Sequence, residues 1–151
     1  MSETIFDVLR ADHDKLRTLT DLVEKTHGDS DGRRELFARL EAEARAHAAL
    51  EERLLYAPLL GDESTRERAG HSVEEHREMN RLFDELSEAD RSSPGWVQRF
   101  QQLAEAMRHH LDEEEREMFP QAGRVLTARE KEEMARRFQA EKPAEKDAVA
   151  G

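Results

Sequence analysis

The chain contains no cysteine. That absence removes disulfides, thiolate metal ligands, iron–sulfur clusters and a cysteine nucleophile together. With 4 prolines and 7 glycines in 151 residues, and aromatics at 5%, it also lacks the turn chemistry and the strand formers of a sheet protein. No apolar run approaches the roughly 20 residues that a membrane-spanning helix requires. The opening MSETIFDVLR has no basic stretch followed by an apolar one, so no secretory signal is expected. Charge is one-sided as well: 35 Asp and Glu against 24 Lys and Arg give a net charge of −11, which argues against nucleic acid or an anionic membrane as a partner. What remains is a chain with 39% charged residues, rich in Glu, Arg, Leu and Ala. That composition favours helices, and the expectation is a soluble, cytoplasmic protein with one core.

Four segments carry a 3.6-residue apolar rhythm. The first runs from about Ile5 to Thr26, with Ile5, Leu9, Leu16, Leu19 and Val23 on one stripe and Thr4 and Asp7 as a capping pair. The second follows HGDSDG (27–32) and carries Leu36, Leu40, Leu50 and Leu54 before Pro58. The third spans about Ser72 to Ser87 and uses Val73, Met79, Phe83 and Leu86. The fourth starts at Ser93 and Pro94, a good cap and first-turn pair, and buries Val97, Phe100, Leu103 and Met107. Thr127 and Glu130 have capping-box spacing ahead of a shorter fifth helix. Short polar links between long amphipathic helices imply an all-α fold, an antiparallel up-down-up-down four-helix bundle with a short C-terminal fifth helix. Residues 1–126 are assigned to the bundle, 127–142 to the fifth helix packed on it, and 143–151 to a disordered tail.

One phrase is written twice. Residues 47–58 read HAALEERLLYAP and residues 110–120 read HLDEEEREMFP. A shift of 63 positions maps His13 onto His76, His47 onto His110, Glu51 onto Glu114 and Tyr56 onto Phe119. The chain is therefore two similar helix pairs. Each of the four histidines lies about 15 residues from the turn joining it to the next, roughly 22 Å at 1.5 Å per residue. In an up-down-up-down bundle this sets His13, His47, His76 and His110 on one level. All four fall on the apolar stripes, and Glu51 and Glu114 lie one turn beyond their histidines on nearly the same face.

A lone histidine on an apolar stripe is usually a hydrogen-bonded core residue. Two buried carboxylates are a different matter, because an unpaired buried charge costs several kcal/mol. No Lys or Arg lies on the inward stripes at this level, so a pair of metal cations best accounts for the burial. Histidine and carboxylate donors without cysteine suit Fe, Mn or Zn. Six inward ligands exceed what one tetrahedral zinc needs, which favours two irons. A ferritin-like store is set aside, since its template places Glu three residues before an inward His. The only such pair here is Glu24–His27, at a helix end.

The set His13, His47-x-x-x-Glu51, His76 and His110-x-x-x-Glu114 resembles the pattern of hemerythrin-like (HHE) domains, over about residues 5–120. The layout is most similar to small stand-alone bacterial hemerythrin-like proteins. The resemblance implies two non-haem Fe ions in a four-helix bundle, bridged by carboxylates and an oxo or hydroxo group. It also implies a small diatomic or peroxide ligand. Members bind O2, sense oxygen or iron, or react with peroxide or NO, and some decompose peroxide in a catalase-like or peroxidase-like way. The expected function is binding of or reaction with O2, H2O2 or NO; the alternative is an oxygen, iron or redox sensor, or an O2-binding protein acting without turnover. A monomer or weak oligomer is expected.

Two departures from the oxygen carriers stand out. They carry a second histidine four residues before the third-helix histidine, where this chain has Ser72. They also place the fourth-helix carboxylate five residues after its histidine, at Glu115, whereas the internal repeat points to Glu114. One ion is therefore short of a histidine and would take water, His71 or Tyr56. His71 lies roughly 140° around an ideal helix from His76 and would need a distorted helix start. Tyr56, nine residues after His47, shares its face only if Pro58 disturbs the helix. A dry pocket lined by Leu50, Phe83, Leu103 and Met107 is expected beside the site. His27, His109, Glu52 and Arg53 read as solvated, as does most of the Glu113–Glu115 run.

Overall fold

A computed structural model describes residues 2–150. Five helices follow one another and no strand occurs among the described residues. Helix α1 is Ile5–Glu24. Helix α2 covers 31–60: an α-helical stretch Asp31–Glu51, a π-helical turn Glu52–Tyr56 and a last turn Ala57–Leu60. Helix α3 is Arg66–Glu88. Helix α4 covers 94–125 and is built the same way as α2, from Pro94–Glu113, a π turn Glu114–Met118 and Phe119–Val125. Helix α5 is Ala128–Ala150. The expected all-α bundle with a fifth helix is what the chain forms.

The helix starts follow local chemistry. The Thr4 hydroxyl accepts from the Asp7 amide while the Asp7 carboxylate accepts from the Thr4 amide, closing a capping box. Ser30 and Ser93 cap α2 and α4 through the amides of Arg33 and Trp96. Thr127 and Glu130 cap α5 reciprocally at 2.8 and 3.1 Å. Gly28, the only described residue with positive φ (57°), turns the chain between α1 and α2.

The π turns have a common cause. Each sits just before a proline, Pro58 or Pro120, that cannot donate to the carbonyl four residues back and whose ring crowds it. The helix widens instead: Ala57 N–H donates to Glu52 O and Phe119 N–H to Glu114 O, both one residue further back than in an α-helix.

The apolar core is divided in two. Leu16, Leu40, Phe83, Trp96, Phe100 and Met107 belong to one cluster near the α1–α2 and α3–α4 turns. Ile5, Leu9, Leu50, Leu55, Met118 and Phe138 belong to another at the opposite end. Between them lies a layer of buried His and Glu. Helix α5 closes the far cluster by packing on α1 and α2 with Met134, Ala135 and Phe138.

Two expectations are corrected. Helix α3 starts at Arg66 rather than near Ser72, because Asp62 and Ser64 form a polar turn and Ala69 is fully buried, extending the inward face by a turn. The tail from 143 is helical to Ala150 rather than disordered; its final residue, Gly151, and Met1 lie outside the described residues. Ion pairs hold it: Lys146 to Glu43 at 2.6 Å and Glu145 to Arg53 at 2.9 Å. An apolar pattern carries no trace of them.

Candidate metal centre

His13 on α1, His47 on α2, His76 on α3 and His110 on α4 are buried at one level, and Glu51 and Glu114 are buried among them. The ligand atoms of His13, His47, Glu51 and Glu114 lie within 4.8 Å of one another, and so do those of Glu51, His76 and His110. Glu51 therefore belongs to both groups. Its Oε2 lies 3.3 Å from His47 Nε2 and its Oε1 3.1 Å from His76 Nε2. Glu114 spans the groups in the same manner, with Oε1 3.0 Å from His13 Nε2 and Oε2 3.8 Å from His110 Nε2. Two carboxylates thus each reach from one histidine pair to the other.

The inward nitrogens are free because the outward ones are held. His13 Nδ1 meets Glu115 at 2.7 Å and His47 Nδ1 meets Asp12 at 2.8 Å. His76 Nδ1 meets Glu52 at 3.3 Å and His110 Nδ1 meets Glu75 at 2.8 Å. A carboxylate on Nδ1 fixes the tautomer, directs Nε2 inward and makes it more basic, the arrangement found behind metal-binding histidines. Of these four acids, Asp12, Glu52 and Glu75 were missed in the sequence, and Glu52 in particular is not merely solvated; Glu115 was noted there as a candidate ligand, not as a partner of His13. A signal was there: the shift of 63 maps Asp12 onto Glu75 and Glu52 onto Glu115.

The residues pass a test of fit for cations. His13 Nε2, His47 Nε2, Glu51 Oε2 and Glu114 Oε1 are buried and have no hydrogen-bond partner. They are close to one another but aim past one another, off hydrogen-bond geometry, as donors directed at a shared point do. His76 Nε2 and His110 Nε2 stand 3.1 Å apart, a distance at which two imidazoles need a proton or a metal between them. Donors about 2.1 Å from one ion at right angles lie about 3 Å apart; the gaps of 3.0, 3.1 and 3.3 Å are near that, while His110 and Glu114 stand wider at 3.8 Å.

Protons tell the same story. Burial disfavours the charged form of His47, yet the Glu51 charge and the Asp12 hydrogen bond raise its pKa to about 10. His76 is likewise raised against burial, to about 9, by Glu51 and Glu52. Burial would lift the Glu51 carboxyl, but His47, Glu114 and His76 hold it well below the carboxylate range. For Glu114, burial and the Glu51 charge act together and push its pKa up. The two carboxylates want positive charge between them, and only protons or cations can supply it.

Tyr56 enters the site through the π turn. In an unbroken α-helix, residues nine apart lie on opposite faces; the widened turn brings Tyr56 back to the His47 side. It is fully buried, donates to Glu51 Oε1 at 2.7 Å and touches Glu114 Oε2. One phenolic proton cannot serve both carboxylates. The two oxygens it meets are those facing His76 and His110, and its ring stacks on His76 at 5.3 Å. His71 does not join this layer: half-exposed on the outer face of α3, it groups with Glu75 and Glu113. Glu115 holds His13 from behind and pairs with Arg17 at 3.0 Å, its pKa drawn down to about 2 by His13, against burial, and by Arg17. His27 and His109 are exposed.

The hemerythrin HHE cation binding domain profile matches residues 4–122. The chain belongs to the hemerythrin HHE cation-binding family. Its fold is similar to the crystal structure of a hemerythrin HHE cation binding domain-containing protein from Mycobacterium kansasii, with a TM-score of 0.85, 25% identity, and coverage of 96% of this chain and 88% of that one. It is also 30% identical over 141 residues to a DNA nickase of Nostoc sp., covering 91% of this chain but only 39% of that relative's length. A cation-binding family thus coincides with a buried His and Glu layer in which four inward atoms have no hydrogen-bond partner.

Proposed function

We propose that His13 and His47 hold one iron ion and His76 and His110 a second, with Glu51 and Glu114 spanning the two, and that the centre binds or reacts with O2, H2O2 or NO. The observation that carries this reading is the set of buried Nε2 and carboxylate atoms without hydrogen-bond partners. Bound iron would supply the electron transfer needed to bind or reduce such a ligand.

The protein's own part is to position and to exclude. Asp12, Glu52, Glu75 and Glu115 orient the four imidazoles. Tyr56 brings a hydroxyl to the His76 and His110 end, where α3 offers Ser72 instead of a further histidine, and we assign it the donor position left free there. A cavity of about 20 Å³ adjoins His47, His76 and His110 and is walled by Leu16, Met79, Phe83 and Met107. The expected Leu50 and Leu103 do not line it. It has room for one water-sized molecule, which favours a diatomic or peroxide over anything larger.

No nickase activity is carried over from the Nostoc relative, since this chain spans 39% of it and has a net charge of −11. Protein purified without chelator should contain two irons per chain, and its visible absorption should change when the ferrous form meets oxygen or peroxide. Less than one metal per chain, or a spectrum indifferent to both oxidants, would overturn the reading.

A further inference from the structure

The two halves of the bundle differ on their outer faces. Behind His47, Asp12 is covered by α5 and receives the Lys142 ammonium, which also meets Glu43 at 2.7 Å. Its counterpart 63 positions on is Glu75, which holds His110 through Oε1. Helix α5 packs on the other half, and no fixed ammonium meets Glu75. In this half, positions 8, 46 and 50 are the apolar Val8, Ala46 and Leu50. Their counterparts around Glu75 are His71, His109 and Glu113. Three apolar positions have thus been exchanged for three metal-ligating ones, all at one place.

These side chains converge. His71 Nε2 lies 3.3 Å from Glu75 Oε2 and 3.3 Å from Glu113 Oε1. His109 Nε2 lies 2.8 Å from Glu113 Oε2 and 3.9 Å from Glu75 Oε2. Each helix contributes a His and a Glu four residues apart, the spacing that places both on one face. His71 and His109 are half or more exposed, while Glu75 and Glu113 are largely covered, so the donors are rooted and the opening faces solvent.

We propose that His71, Glu75 and Glu113, with His109 beside them, form an outer site for a divalent cation of the zinc class, joined to the inner centre by Glu75. Imidazole and carboxylate donors without thiolate suit such an ion, with water completing its shell. The cation stands where Lys142 stands in the other half. It draws on Oε2 of Glu75, and so weakens the hold of Oε1 on His110. Arg68 is the competitor, since it contacts Glu113, but it keeps Glu117 at 2.6 Å when the cation enters.

Zinc chloride titrated into the full chain, followed by the histidine ring nitrogen NMR signals, tests this. The His71 and His109 signals should shift and saturate with one zinc equivalent. The double variant H71A/H109A should bind that equivalent at least tenfold more weakly, and His110 should lose the part of its response that reaches it through Glu75, while His13, His47 and His76 respond unchanged. R68A should bind it more tightly. Unmoved His71 and His109 signals, or equal zinc affinity and stoichiometry in the double variant, would overturn the outer site. Movement of the outer signals alone would support it and refute the inner centre instead.

Discussion

Tyr56 and Phe119 occupy corresponding positions in the two halves, and each lies over a histidine: Tyr56 over His76 at 5.3 Å and Phe119 over His13 at 5.7 Å. They differ by one hydroxyl, and that hydroxyl is the asymmetry of the site. Burial and the charges of Glu114 and Glu51 keep its pKa well above that of a free phenol, so it stays protonated in the metal-free chain. Tyr56→Phe retains the stacking and removes only the oxygen. It should still load two irons, because four histidines and two carboxylates remain, but lose them to a chelator about tenfold faster and with an altered visible spectrum. Release kinetics and absorption identical to those of the parent would remove Tyr56 from the centre. The histidines and Glu51 were readable because they violate an apolar stripe. Tyr56 was not settled, since its face depends on a helix distortion that side-chain periodicity does not encode. Asp12, Glu52 and Glu75 were hidden for another reason: at the rim of a buried layer, an orienting acid looks like any other charged residue of a solvated face.

At the scale of the helix, backbone irregularity and charge decide what periodicity could not. Pro58 was visible as a helix breaker, but the chain widens before it, and before Pro120, instead of stopping, because the packed bundle on either side favours continuation. Capping boxes at Thr4 and Thr127 were legible since their logic is local. The last turns of α5 were not, because their partners are distant in sequence. Lys142 sits in a largely covered place between Asp12 and Glu43, and its pKa is raised against burial by both carboxylates. Lys142→Met keeps the aliphatic stem and removes the charge. With Glu43 still served by Lys146 at 2.6 Å, the loss should be about 1–3 kcal/mol, or several degrees in Tm for a protein of this size. An unchanged melting curve would mean that the Lys142 charge adds nothing to the docking of α5.

The whole molecule is two apolar cores separated by a charged layer, so its stability is tied to what neutralises that layer. Without metal, protons do it. His47 and His76 have pKa values near 10 and near 9 in the folded chain, against an ordinary value of 6.5. A raised folded-state pKa contributes stability that is complete below 6.5 and is lost as pH rises through 9 and 10. The metal-free protein should therefore melt at progressively lower temperature between pH 6.5 and 10. Metal binding requires neutral imidazoles, so loading at pH 7 should release protons and the loaded form should lack this decline. The gap in Tm between loaded and metal-free protein is then expected to widen with pH across that window. A series of melting curves for both forms decides it: a gap constant from pH 6.5 to 10 would mean that His47 and His76 do not carry the protons that the cations replace.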